Sequence, residues 1–195
     1  GRAISVSHMA YGSTRVMGTC GVVGQAIGCA AFLAKQYHTD NAGVLGHIDE
    51  LQQTLLREDC YIPNVQNHDA SDIAPRCEIV SENRDAARVV DGFGRNDSGG
   101  LHRCDLAMGE KIELRLPEKR RVHEIILKFD SDLSHELTIT ISEYVRSKQQ
   151  DFPQSLARDF ELVGYLAGEE VYRQTVCDNF LRLRNFTPDC EMDAL

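Results

Sequence analysis

The chain has 195 residues and a mass of 21.8 kDa, the length of one or two small domains. Apolar residues make up 42% and charged residues 26%, which supports a core and argues against wholesale disorder. A net charge of −9 argues against a nucleic-acid partner, and no run of about 18 apolar residues points to a membrane span. A signal peptide is not expected either, because the apolar stretch near the start is glycine-rich and Arg2 alone is a poor charged head.

Residues 1–60 are rich in glycine and alanine and carry a net charge of −1, against −8 for the rest. Cys20 to Gln36 predicts a helix in spite of its internal glycines, each of which costs about 1 kcal/mol against alanine. Gly21, Gly24, Gly28 and Ala31 recur at helical spacing and line one face, with Val22, Ala26, Cys29 and Leu33 on a broader apolar face beside it. Thr19 is the expected N-cap, its hydroxyl accepting from a first-turn N–H. A stripe without side chains lets something approach the backbone closely, either a packed helix or strand or a cofactor, and spacing alone does not separate the two. A second helix is expected over 44–57, with Val44, Ile48, Leu51 and Leu55 inward and Glu50, Gln52, Gln53 and Arg57 mostly outward. Two helices with no strand between them do not make a self-sufficient domain, so their apolar faces need a partner.

Residues 61–85, with Pro63, Pro75 and many Asn and Asp, read as a connector. From Ala86 the pattern turns to short alternating segments. The first, 86–90, ends on an Asp91-Gly92 turn signal. In 111–116, Ile112, Leu114 and Leu116 oppose Lys111, Glu113 and Arg115, and Pro117 closes the strand. Ile125, Leu127 and Phe129 face inward in 122–129, and Leu137, Ile139 and Ile141 oppose Thr138 and Thr140. The segments 160–166, 171–176 and 180–186 complete seven strands. The expected fold class is therefore mainly β, an antiparallel sandwich over 86–195 preceded by two helices. Met192 to Leu195 is expected to open one more strand that is then cut, leaving an unpaired edge.

The seven cysteines, Cys20, Cys29, Cys60, Cys77, Cys104, Cys177 and Cys190, form no Cys-x-x-Cys pair and have no histidine at zinc-finger spacing. Their odd number favours reduced thiols over a disulfide framework. Cys20 lies near a helix N-terminus, which lowers a thiol pKa, or is simply a small packed residue. No nucleophile elbow, P-loop or paired-histidine metal motif occurs.

Gly1-Arg2, Ser5-Val6-Ser7-His8, Gly12-Ser13-Thr14-Arg15-Val16-Met17 and Gly24-Gln25-Ala26-Ile27-Gly28 form a specific string, followed by His47-Ile48, Leu51-Gln52 and Leu55-Leu56. It resembles the C-terminal flavin-contacting segment of a bacterial family of FAD-dependent oxidoreductases, over the first sixty residues. The resemblance implies that Arg2, Ser13, Arg15, Thr19, Gly21, Gly24 and Gln25 contact the cofactor and that His8 and Arg15 face substrate. A structural histidine and a loop salt bridge are the ordinary alternatives for those two. A helix N-terminus, with unpaired N–H groups and a positive dipole end, suits charge on the pyrimidine side of a reduced flavin. Hydride transfer would be the chemistry of the parent protein, supplied by FAD. The strand and Gly-x-Gly-x-x-Gly loop that cradle a pyrophosphate do not occur, and the glycine-dense loop 92–100 has no helix pattern behind it. The expectation is a C-terminal fragment, not catalytic alone and holding no FAD by itself. Its expected partners are the N-terminal remainder of the FAD-binding domain and a second copy packed on the glycine-rich helix.

Ala-x-Val-Val-Asp-Gly with Arg95, Ile-Glu-Leu-Arg-Leu-Pro, Val-x-x-Ile-x-Leu-x-Phe-Asp, Arg158-Asp159-Phe160-Glu161 and Asn179-x-x-x-Leu183 resemble a galactose-binding-like, or discoidin-like, jelly roll. A glycan is the ligand this resemblance brings into view. The chain has no tryptophan, so Tyr144, Tyr165 and Tyr172 are the candidate stacking rings, with core or edge packing as their ordinary role. Asp91, Asp97, Asp130 and Asp132 offer oxygen ligands to calcium or are solvated turn carboxylates; no metal site is expected. Three readings stay open: the flavin-completing fragment with an accessory sandwich, a non-enzymatic carbohydrate- or protein-binding module, and a structural domain shielding the parent's cleft.

Overall fold

The computed structural model describes residues 1–96, 99–131, 140–148 and 153–195, and the chain divides into two units, Gly1–Asp69 and Ala70–Leu195. In the first unit a short turn of helix α1 (Tyr11–Thr14) leads into α2 (Met17–Gln36). The 3-10 turn Gly43–His47 then runs into α3 (Ile48–Arg57). Helix α2 starts three residues before the expected Cys20. The extended Val16 is its N-cap and no side chain caps it. Thr19, already inside the first turn, donates its hydroxyl back to the Ser13 carbonyl at 2.9 Å instead of capping, which corrects its expected role.

Helix α3 packs on one face of α2, and Leu33, Val44, Leu55, Leu56 and Cys60 form the buried set of this unit. Val23 rather than Val22 lies on the covered side, and Val22 is exposed. The expected single helix over 44–57 is split because the Asp40 carboxylate accepts from Gly43 N–H at 2.9 Å and tightens the chain into the 3-10 turn. Ile48 consequently faces solvent. The C-terminus of α3 closes in a Schellman-type turn: Cys60 N–H bonds to Leu55 O at 2.9 Å and Asp59 N–H to Leu56 O at 3.1 Å, with Asp59 at φ 60°.

The second unit contains β1 (Glu78–Val80), β2 (Glu113–Val122), β3 (Ile125–Lys128), β4 (Phe160–Leu166), β5 (Glu169–Val176), β6 (Leu183–Phe186) and β7 (Cys190–Ala194). A 3-10 turn, Ala74–Arg76, precedes β1, and a four-residue helix α4, Glu143–Arg146, lies between β3 and β4. Five strands form an antiparallel sheet in the order β1-β2-β7-β4-β5, and β3 pairs with β6 in a second. Side chains from both sheets meet in one cluster: Ile125 and Leu127 from β3, Phe186 from β6, Phe160 and Leu162 from β4, and Val176 from β5. The Phe160 ring lies 5.0 Å from that of Phe129 and meets Phe186 edge-on at 6.3 Å. The β4–β5 hairpin turns on Ala167 and Gly168, both in the left-handed region, and Asp193 accepts from Ala167 N–H at 2.8 Å.

Several expectations change. The architecture is mixed rather than mainly β, with helix and strand both substantial. Residues 86–90 form a 3-10 turn, nucleated by the Asn83 side chain accepting from Asp85 N–H at 3.0 Å. Pro117 does not close a strand. It sits inside β2, where the register to β7 slips between Arg115 and Arg120, so its missing N–H costs no ladder bond. Leu137, Thr138 and Ile139 lie outside the described residues, while Thr140 and Ile141 are not in a strand. Only Leu183–Phe186 of the expected 180–186 strand pairs. The last segment is not an open edge: β7 lies between β2 and β4, and Leu114 and Leu195 exchange backbone bonds of 2.8 and 2.9 Å.

Candidate functional site

The residues that the flavin resemblance singles out surround the start of α2. Arg2, Tyr11, Gly12, Arg15 and Val16 line an open depression of about 400 Å³. Val16, the extended residue that precedes α2, is one of the lining residues, so the depression adjoins the start of the helix. The first turn of α2 contains no acidic residue and its N-cap supplies no side-chain acceptor. The positive end of a twenty-residue helix therefore stands uncompensated next to two guanidinium groups. Arg15 is held in place by its Nη2, which donates to the Ile4 carbonyl at 2.6 Å. Such a site is suited to an anionic or electron-rich planar group rather than to a cation.

The other candidates divide. The Ser13 hydroxyl donates to Ala10 O at 3.2 Å, and the Thr19 hydroxyl to Ser13 O, so both polar groups secure the turn between α1 and α2. Gln25 points to the other side of α2 and donates to Glu58 O at 3.2 Å, tying the helix to the end of α3. His8 is exposed, its ring 5.1 Å from that of Tyr11. Gly21, Gly24 and Gly28 are exposed, and a Cβ at any of them would meet nothing within 4 Å. The structure thus brings Arg2 and Arg15 together, leaves the glycine face open, and engages Ser13, Thr19 and Gln25 in local structure. Tyr11, Gly12 and Val16 also line the depression. Gly12 and Val16 belong to the Gly12–Met17 string and Tyr11 immediately precedes it, which is the sequence signal that could have found them.

Large apolar side chains continue from this site along α2. Met17 is 89%, Ile27 64% and Phe32 62% exposed, and Leu33 is the one buried residue of the helix. By length and composition α2 is also long and apolar enough to cross a membrane, a criterion that the core helices of soluble proteins and signal sequences meet as well. The sequence pattern hid this because Thr19 and Gln25 interrupt the apolar run.

In the second unit two of the carboxylate candidates, Asp91 and Asp130, are engaged by cations or backbone. Asp91 pairs with His102 Nδ1 at 2.8 Å and accepts from Phe93 N–H at 2.9 Å; Asp130 pairs with Arg103. Asp97 and Asp132 lie outside the described residues, among which no cluster of three His, Cys, Asp or Glu side chains is placed to hold a metal. Tyr144 lies on α4 with the Lys148 Nζ 4.3 Å from its ring centre, whereas Tyr165 and Tyr172 belong to β4 and β5. Burial pushes the Tyr172 hydroxyl up from its ordinary value, in keeping with a packing role.

A model of the FAD-dependent oxidoreductase family matches residues 1–55. No curated protein and no solved structure matches the chain. Residues 1–55 are thus similar to a segment of the FAD-dependent oxidoreductases, a family whose cofactor is FAD.

Proposed function

We propose that residues 1–55 are the flavin-facing C-terminal segment of an FAD-dependent oxidoreductase, and that the second unit is an accessory β-sandwich of the galactose-binding-like kind. The family match over 1–55 carries the first half of this reading. The residues present fit the ring end of a flavin. Gly21 and Gly24 leave space that any Cβ would fill, and the open face they share begins where the uncompensated N-terminus of α2 meets Arg2 and Arg15. The exposed apolar side chains Val22, Ile27 and Phe32 fit a helix whose cover comes from further residues of an FAD-binding domain. The sandwich half of the reading draws on the two antiparallel sheets among the described residues and on the cluster to which both contribute.

In this arrangement Arg2 and Arg15 stabilise negative charge at the mouth of the site, and the first-turn N–H groups of α2 donate to carbonyl-type oxygens placed there. Gly21 and Gly24 admit a planar ring to van der Waals distance of the helix backbone. Ser13 and Thr19 position these groups from behind by fixing the α1–α2 turn. FAD, when bound, supplies the hydride chemistry. In this reading the exposed His8, whose ring lies 5.1 Å from that of Tyr11, meets a substrate at the rim.

The test is to read the coding sequence upstream. The expected result is an in-frame strand followed by a Gly-x-Gly-x-x-Gly loop and a helix, and a yellow protein when the complete frame is expressed. An unrelated upstream domain, or a colourless full product, would contradict the proposal.

A further inference from the structure

We propose that Cys29 and Cys60 form a redox-sensitive pair that closes an intrachain disulfide between α2 and the end of α3. The proposal goes beyond the flavin reading and does not depend on it. Gln25, Cys29 and Leu33 follow one another at four-residue steps and so share one face of α2. That face is turned to α3. Gln25 Nε2 donates to Glu58 O at 3.2 Å, and Leu33 is 1% exposed. Cys60 stands two residues beyond Glu58, and the left-handed Asp59 folds it back until its N–H bonds to Leu55 O and the residue is only 7% exposed. Cys29 is half-buried on the facing helix. Burial pushes the Cys60 thiol up from its ordinary value, and the nearby Cys29 thiol adds to the effect, as expected of two sulfurs that share one interface. Cys20 cannot take the place of Cys29, since it lies nine residues, about 13.5 Å, nearer the start of the helix.

A small-molecule disulfide such as oxidised glutathione is the oxidant. The more accessible Cys29 thiolate attacks one of its sulfurs, the S–S bond breaks, and one glutathione thiol leaves. The Cys60 thiolate then attacks the Cys29 sulfur of the mixed disulfide and expels the second thiol. The protein loses two protons and two electrons, and the small disulfide takes them up as two thiols. Because the Cys60 thiol is pushed up, the second step quickens as pH rises. The closed bond spans the whole α2–α3 connection and restricts the unfolded chain of the first unit.

The full chain, oxidised with glutathione disulfide, alkylated and mapped without reduction, tests this. The expected product is a Cys29–Cys60 linked peptide lacking two hydrogen atoms. The melting temperature of the first unit should rise by roughly 5–15 °C and return on reduction. Cys60→Ser should stop at a Cys29–glutathione adduct, and Cys29→Ser should show no rise in melting temperature. Exposed Cys177 reports that the reagent acted. If Cys177 carries glutathione while Cys29 and Cys60 are recovered unlinked, or if either joins a different cysteine, the pairing is wrong. Because the linkage is mapped in the unsubstituted chain, the outcome is independent of how the variants fold.

Discussion

Leu33 and Met192 are buried to nearly the same depth, yet the elements that carry them are covered to different extents. Leu33 is the single buried residue of a twenty-residue apolar helix whose opposite face holds open glycines and exposed Ile27 and Phe32. Met192 lies in β7, a strand with neighbours on both sides, with its terminal methyl over Gly164 of β4. The same composition, apolar residues with interspersed glycines, is used in opposite ways. In the second unit small residues make room for side chains of the unit itself. In the first they leave room that nothing in the unit occupies, which is the space that the proposed flavin site uses.

Matched substitutions probe that contrast. The largest difference is expected between two phenylalanines. Phe186→Ala, in the cluster where both sheets meet, should cost about 3–5 kcal/mol. Phe32→Ala, on the open side of α2, should change stability by less than about 0.5 kcal/mol. Chemical denaturation followed by circular dichroism measures both, and equal losses would erase the distinction between the units.

Two glycines give the next contrast. A Cβ at Gly164 would lie 3.0 Å from Met192 Cε and 3.2 Å from Tyr172 Cβ, so Gly164→Val should cost roughly 1–3 kcal/mol through overpacking. Gly24→Ala meets open space within a helix and should stabilise the first unit by about 1 kcal/mol. A destabilised Gly24→Ala chain would mean that the face is covered from within.

How much of this is legible in the sequence follows from local and distant causes. The long helix, the inward Ile125, Leu127 and Phe129, and the 160–166 strand can be read because periodicity records burial on one face. The turn at 86–90 cannot, since Ala-Arg-Val-Val has strand propensity and only the Asn83 and Asp85 hydrogen bonds bend it. Pro117 misleads for a related reason: a bulge absorbs its missing N–H, and a bulge has no sequence period. At the candidate site, the resemblance names Arg2 and Arg15, which do meet at one depression. It cannot foresee that Gln25 is taken up by Glu58, because that bond depends on where α3 ends.

The smallest effect is expected at the surface of the second unit. Asp189 receives two bonds from Arg121, 2.9 and 2.8 Å long, and lies 2.7 Å from His123 Nδ1. Arg121 first, then His123, holds its carboxyl well below the usual carboxylate range. A depressed folded value means that its contribution is present in full above the unfolded carboxylate pKa, about 3.9. That contribution is lost as pH falls toward the folded value. Asp189→Asn should therefore lower stability slightly at neutral pH, by the small amount expected of an exposed pair, and leave the acid end unchanged, which flattens the acid limb of the stability curve. Urea midpoints across the acid range test this, and an unaltered acid limb would remove the ion pair from the account.

Whether the open glycine face of α2 belongs to a flavin site is decided by the FAD content of the complete encoded protein, with and without Gly24→Val. The expected result is about one FAD per chain in the unsubstituted protein. A severe loss is expected in the variant, although in the 195-residue chain the same substitution leaves α2 folded and its melting unimpaired. Full flavin occupancy in the Gly24→Val protein, or no flavin in the unsubstituted one, would contradict the assignment.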